Sequence, residues 1–428
     1  MIIRPRFPAG EKPPAAMLGT CLREHMAGLS RLNRLRRYYD GRHDVLERRR
    51  ASGLPNNRLV HAFPRYICAM ASGYLIGNPV AYQLDEGAPA HEKAALEAVM
   101  RTYRACAMDS VDAELARNAS IYGRAVELVY ADEAARPRSV SLDPACAFVV
   151  YDDTVGCAPL FGVYYVPVRL PDGGAAGWRV HVFTESARLT YRMSALGDFA
   201  PGALEEEAPH YFGGVPMVEY WNDECERGDF EPVLSLIDAY DALASDRLND
   251  KQQFVDALLL LYGCTLETDA QGRSPGQQLR EDKALALPDS DAHAEFLCKQ
   301  MSEADTEILR KALEQDIHKL CLVPDMTDAQ FAGNISGVAM RYKLLGLEQL
   351  TKVKERWFRE GLRARLGLYA RFVRRLGGAA VDPGAVRIIF GRALPVNELE
   401  VAQTLSQMRD IWDEETLKLR ADALMGRA

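Results

Sequence analysis

The dipeptide Gly-Lys is absent from all 428 residues, and with it any GxxxxGK[ST] loop of the kind that wraps nucleotide phosphates. Neither Cys-x-x-Cys nor His-Glu-x-x-His occurs, which removes the compact zinc motifs. The nine cysteines are odd in number and irregularly spaced. They make no disulfide framework and read as reduced, mostly buried small hydrophobes. No apolar run approaches the ~18 residues of a membrane helix; "FVDALLLLYG" comes nearest and contains Asp256. The opening "MIIRPRFPAGEKPPAAM" lacks a secretory hydrophobic stretch, so an intracellular address is expected. Low-complexity tracts and internal repeats are absent as well.

Residues that imitate active sites are few. In "GNISG" Ser336 stands one place late for GxSxG, and no strand precedes it. "GRHDV" places His43 beside Asp44 within a run of arginines, which reads as a solvated helix and turn. Asp152–Asp153, Glu205 to Glu207 and Glu414–Glu415 are adjacent carboxylates of the sort that usually face water rather than share a proton. No catalytic residue, metal ligand or cofactor is assigned.

What is present is the composition of a folded chain, 48% apolar and 26% charged, long enough for two or three cores. Residues 1 to 17 are Pro-rich and expected to be loosely ordered. Helical periodicity runs from Leu18 to about Arg50, through "HAFPRYICAMASGYLIG", and from His91 to Tyr122. Six short segments rich in Val, Tyr and Phe follow, from "RAVELVYA" to "VPMVEYW", separated by Gly, Pro and Asp. They predict an antiparallel meander over about 124 to 221. Helix resumes at Val233, and "LSLIDAYDALASDRLNDKQQFVDALLLLYG" reads as one helix or two in tandem, ended by Gly263. "KALALPD" and "AEFLC" read as short strands. "SEADTEILRKALEQDIHKL" opens as a capping box, with Ser302 as N-cap and Asp305 at N3. The strand "VRIIF" and a last helix from about Asn397 complete an α+β chain.

Charge is unevenly distributed. From Arg341 to Arg375 there are 11 Lys or Arg against 3 Glu, a balance of +8. The whole chain carries −8, so everything else carries −16. Leu344, Leu347, Leu350, Val353, Trp357, Leu362 and Leu366 form a near-helical apolar stripe there, with Gly346 and Gly361 as candidate bends. Such a helix would be roughly 50 Å long. The segment before it, "DAQFAGNISG", is small, neutral in its Gly333 to Gly337 part, and permissive of unusual backbone geometry.

Several stretches, in order, resemble the portal proteins of tailed bacteriophages. They include "YYDGRHDVLERR", "PNNRLVHAFPRYICAMASGYLIGNPVAY", "RNASIYGRAVELVY", "GGVPMVEYWNDECERGDFEPVLSLIDAYDALASDRLNDKQQFVDALLLLYG", "FAGNISGVAMRYKLLGLEQLTKVKERWF" and "VRIIFGRALPVNELE". Together they run over roughly residues 30 to 402.

The resemblance implies a portal fold: long stem, wing-spine and crown helices, an antiparallel β wing and a small α/β clip. Its parts would be an N-terminal arm (1–30), a wing with a helical part and the meander (31–233), and a stem helix (234–263). A clip (264–301), a second stem helix (302–320) and a tunnel loop (321–337) would follow. The wing spine with its strand (338–396) and a short crown helix (397–428) would complete the chain.

It also implies a homo-oligomeric, dodecameric ring at one capsid vertex of the virion, assembled in the bacterial cytoplasm. The ring would pass double-stranded DNA without reading its sequence. Partners would be the terminase large subunit, a head-completion or adaptor protein, and scaffolding and major capsid proteins, with no membrane. Asp328, Gln330, Phe331, Asn334 and Ser336 would be tunnel-loop residues facing DNA. Arg341, Lys343, Lys352, Lys354 and Arg356 would face the channel or a neighbouring subunit, and Arg273, Gln277, Arg280 and Glu281 would be clip docking residues. ATP hydrolysis would belong to the terminase. Two other classes compete: a DNA-binding monomer or dimer acting through the basic helix, and an enzyme whose site leaves no motif.

Overall fold

A computed structural model describes residues 1–8, 11–52, 54–196, 203–253, 258–262, 268, 274, 293–297, 303–327, 337–379, 381–392 and 406–407. Two compact units emerge. The first comprises Met1–Arg42, Ala62–Leu234 and Ile317–Ala428, and the second His43–His61 and Ser235–Asp316.

The first unit is layered. A six-stranded sheet has the order Ile2–Arg4, Ala147–Asp152, Pro159–Arg169, Ala175–Phe183, Ala187–Met193, Leu204–Pro209. A three-stranded sheet has the order Met217–Trp221, Arg124–Ala131, Pro137–Leu142. The expected meander is therefore split, because its last strand returns to pair with its first, Val218 opposite Glu127.

The apolar run "AFVVYD" explains how the layers meet. Successive side chains of a strand point to opposite faces. Ala147 and Val149 join Val126, Val215 and Met217 between the two sheets. Phe148 and Val150 face the other way, onto Leu18, Cys21 and Leu22 of the helix Ala15–Ala27. A strand covered on both faces needs no polar alternation.

Several expectations change. The N-terminal stretch is not loose throughout, because Ile2–Arg4 pairs in parallel with Ala147–Asp152, and buried Ile2 supplies its anchor. The helical pattern from Leu18 to Arg50 resolves into Ala15–Ala27, Leu29–Tyr39 and a short 3-10 turn, Asp44–Glu47. The span from His91 to Tyr122 is two helices, Ala90–Ala105 and Met108–Tyr122. They break at Ala107, which is left-handed at φ 49°. No Gly or Pro marks that break in the sequence.

Met108–Tyr122 ends at Gly123, at φ 85°. A Cβ there would lie 1.9 Å from the Glu226 carbonyl oxygen, so only glycine fits. Of the seven described cysteines, all free, Cys21, Cys68 and Cys321 are buried, while Cys225 is exposed. The expectation of mostly buried cysteines thus holds for fewer than half of them.

The other side of the three-stranded sheet carries the largest core. Ala125, Val129, Val218 and Tyr220 meet Leu115, Ala116 and Ala119 of one helix and Phe358, Leu362, Leu366 and Tyr369 of another. The second is Leu345–Arg375, the longest helix described, about 46 Å at the usual rise. The short strand Arg387–Ile389 pairs with Ala81–Gln83.

In the second unit the helix Leu234–Gln253 receives the extended strap His43–His61 on a polar face. Asp241, Ser245 and Asn249 recur every four residues, all buried. The Ser245 hydroxyl oxygen accepts from the Leu59 amide at 2.9 Å, and the Asn249 side-chain oxygen accepts from the Asn57 amide at 2.6 Å. Arg48 and Arg50 both close on Asp246. His43 is therefore not solvated: it is buried, 2.6 Å from Asp241 through Nδ1. The sequence reading missed this because a polar helix face looks like a wet one.

The described helix spans Leu234–Gln253, and Leu258–Tyr262, expected as helix up to Gly263, is instead a strand paired with His293–Leu297. A five-residue apolar run fits helix or buried strand equally well by periodicity. The helix Glu303–Leu320 carries Asp305 in its first turn. Ser302, "KALALPD" and nearly all of the final helix lie outside the described residues.

Candidate functional site

The long helix was expected to bury its leucines and valines and expose its cations. It does so only in part. Leu344, Leu347, Leu362 and Leu366 are buried, but Val353 is 42% exposed while the adjacent Lys354 is 2% exposed. The buried face runs Leu347, Thr351, Lys354, Phe358, Leu362, Arg365, Tyr369, Phe372, at alternating spacings of three and four. Two cations therefore lie in the core of the subunit.

Each meets a carboxylate supplied by another element. The Lys354 ammonium donates to Asp229 Oδ2, which also accepts from the Ser120 hydroxyl. Asn222 Nδ2 donates to the second oxygen of Asp229 at 2.8 Å. Arg365 forks onto Asp112, with one bond at 3.2 Å, and donates to Tyr82 Oη at 2.9 Å. Its guanidinium also lies 5.1 Å from the centre of the Tyr103 ring and 3.7 Å from Glu127. Burial raises the Glu127 pKa, the nearby Arg365 opposing, and Tyr220 Oη donates to its other oxygen at 2.5 Å. Unpaired, either cation would be costly to bury; here each is paired and hydrogen-bonded, Lys354 to a loop carboxylate and Arg365 to one on the helix Met108–Tyr122.

Much of the remaining charge is neutralised within the subunit. Lys352 lies 3.8 Å from Glu348, Arg363 lies 3.0 Å from Glu360, and Arg359 pairs with Glu355. Arg371 donates to the Phe212 carbonyl at 3.0 Å, and Arg375 covers the Tyr211 ring. Arg341 and Arg356 are exposed, and Lys343 is half-buried. Of the five cations expected at a channel or subunit boundary, Lys354 is thus misplaced: it sits inside its own subunit.

Gly361 is not required as a bend. Its missing Cβ admits the Tyr220 ring, which would stand 2.4 Å away from one. The helical break falls earlier, at Leu344, between Gly337–Lys343 and Leu345–Arg375.

The chain leading to the small-residue segment is tied down. Tyr66 Oη donates to the Pro324 carbonyl at 2.7 Å and accepts from the Met326 amide at 3.0 Å. Asp325 Oδ1 then accepts from the Thr327 amide at 2.9 Å and from its hydroxyl at 2.6 Å, closing a local turn. On the far side Tyr342 and Leu345 are 74% and 51% exposed.

Comparison with known proteins bears on this arrangement. The family described as "Phage portal protein, SPP1 Gp6-like" matches residues 18–420. The chain belongs to that family. A relative, the "Portal protein" of Bacillus phage SPP1, is 23% identical over 400 residues, covering 87% of this chain and 76% of its own.

As a phage portal protein the chain is a member of a non-enzymatic family. Among the described residues no group of three or more His, Cys, Asp or Glu is placed to hold a metal ion. Also among them, no helix is long and apolar enough to cross a membrane. Asp152, one of the carboxylates considered for chemistry, is a structural turn residue. Its pKa is lowered to about 2, first by the Thr154 hydroxyl, and Arg6 reaches it at 2.6 Å. Asp328, Gln330, Phe331, Asn334 and Ser336, expected on a tunnel loop, lie outside the described residues, as do Arg273, Gln277, Arg280 and Glu281, expected on a clip.

Proposed function

We propose that this portal protein forms the ring at one capsid vertex through which double-stranded DNA is packaged and ejected. The observation that carries this reading is the family match over residues 18–420. The relative's name adds support, and the charge distribution is compatible. A subunit with net charge −8 has no overall attraction for a polyanion, and two cations of the long helix, Lys354 and Arg365, are held in internal pairs. Each phosphate neutralised steepens salt-dependent binding, so a conduit benefits from having few such contacts.

In this reading Asp328, Gln330, Phe331, Asn334 and Ser336 meet the DNA, on a loop whose approach is anchored at Tyr66. Arg341, Lys343, Lys352 and Arg356 serve the channel or the neighbouring subunit; Lys354 no longer belongs to that set. Arg273, Gln277, Arg280 and Glu281 dock the terminase large subunit and later a head-completion or adaptor protein. Scaffolding and major capsid proteins complete the partner set, and the assembled protein resides in the virion. Twelve subunits would match the dodecameric ring that the resemblance implies.

Electron microscopy of the full-length protein, with its mass measured in solution, tests this. Rings of about a dozen subunits with an open channel are expected. A stable monomer or dimer at high concentration, at every salt tested, would refute the reading. Given rings, alanine at Phe331 and Asn334 should impair DNA packaging while leaving ring mass unchanged.

A further inference from the structure

The three-stranded sheet ends on an open edge. Met217–Trp221 has a single neighbour in that sheet, Arg124–Ala131. The Val129 amide donates to the Pro216 carbonyl and the Asn222 amide to the Gly123 carbonyl, bracketing the pairing. With Val218 opposite Glu127, this sets its parity. The backbone groups of Val218 and Tyr220 turn toward the neighbouring strand, and those of Met217, Glu219 and Trp221 turn outward. No backbone partner among the described residues meets those outward groups.

The edge forms one side of a cavity of about 560 Å³. Ala364 and Gly367 of the long helix form a second side, and Tyr151 with Pro159 a third. The volume lies within the range of roughly 300–1,000 Å³ typical of ligand clefts. Glu219, Glu360 and Arg363 also line it, Glu360 with Arg363 at 3.0 Å and Glu219 accepting from the Val149 amide at 3.2 Å, and two further polar groups stand out. The Trp221 indole N–H is buried without a partner among the described residues. Arg371 is bonded to a backbone carbonyl and lies within no described ion pair; burial lowers its pKa, against the weaker pull of Glu185.

We propose that this edge is a slot into which an extended, acidic segment of a second copy of the chain inserts, adding a fourth strand and bringing a carboxylate to Arg371. The inference rests on the ring reading above. An open strand edge is an aggregation hazard unless covered, and an extended segment satisfies it through backbone hydrogen bonds. A slot is one-sided: it cannot pair with its own copy across a many-fold axis, and head-to-tail contacts in a ring need two different surfaces. Outside residues 341–375 the chain carries −16, so acidic segments are abundant on the same molecule.

Amide hydrogen exchange at residue resolution tests this on the full-length protein, as rings and as unassembled subunits at the same pH. The Met217, Glu219 and Trp221 amides should exchange about 100-fold or more slowly in rings, while Val218 and Tyr220, already bonded, change little. Equal rates in both states would overturn the inference, leaving the ring reading intact. Protection already present in the free subunit would also overturn it, since the chain's own residues would then fill the slot. Absence of rings would sink both readings together. A second variant, Ala364→Trp, fills the cavity from an exposed helix position. It should raise the concentration needed for half-assembly about tenfold or more with subunit melting unchanged; assembly at the wild-type concentration would contradict the slot.

Discussion

Substituting Lys354 by methionine removes the cation from a cluster that is closed to water. The Lys354 and Asp229 side chains are 2% and 1% exposed. After the change Asp229 keeps the Ser120 hydroxyl and the Asn222 amide as donors, but its charge has no counterpart. Removing one member of a buried ion pair costs about 3–5 kcal/mol, because the survivor stays desolvated. For a unit of this size that corresponds to roughly 6–12 °C of melting temperature.

Thermal unfolding of unassembled full-length protein can be followed by tryptophan fluorescence. Trp221 and Trp357 lie 5.3 Å apart beside this helix and report on it. Asp229→Asn should cost a similar amount, and the double variant should fall short of the sum by about 2 kcal/mol, the mark of direct coupling. Arg356→Gln, two residues away and exposed, should stay within about 0.5 kcal/mol of wild type. If Lys354→Met melts like wild type, or Arg356→Gln costs as much, the assignment of Lys354 to the core is refuted.

Gly361→Ala gains about 1 kcal/mol of helix propensity but drives a methyl into the Tyr220 ring, whose hydroxyl is held by Glu127. Net destabilisation of about 1–2 kcal/mol in urea unfolding is expected; a more stable variant would contradict this packing. His25, stacked 4.5 Å from Phe148, has its pKa lowered to about 4 by burial, with Arg124 adding to the effect and the Ala145 carbonyl opposing it. The unfolded chain protonates near pH 6.5 and the folded one only near 4, so stability is complete above 6.5 and declines as pH falls toward 4. The loss is about 3 kcal/mol, and His25→Gln should flatten that slope. Asp241→Ala removes the acceptor shared by His43 and His61 and should cost about 3 kcal/mol, read as faster proteolysis of the strap His43–His61.

The helices Phe63–Ile76 and Leu345–Arg375 and most strands of the six- and three-stranded sheets were legible because their apolar residues recur at the period of the element. The edge strand Leu204–Pro209 was not, since "LEEEAP" carries charge where strands usually carry apolar groups. Pro137–Leu142 was missed for a related reason: Ser and Arg alternate with its apolar residues. The break at Ala107 left no trace, because a left-handed alanine is a consequence of packing rather than of its own preference. The residues expected at the channel and at the docking face came from the family resemblance, not from any chemical motif.

What the sequence determined alone was therefore the periodic part and the family: amphipathic helices, alternating strands, and an ordered set of segments shared with phage portal proteins. What tertiary structure decided was the fate of individual charges. A lysine reads as a surface residue in sequence because its desolvation is costly. Whether that cost is met depends on a carboxylate more than a hundred residues away, as Asp229 is from Lys354 and Asp112 from Arg365. That pairing exists only once helix and sheet have packed together.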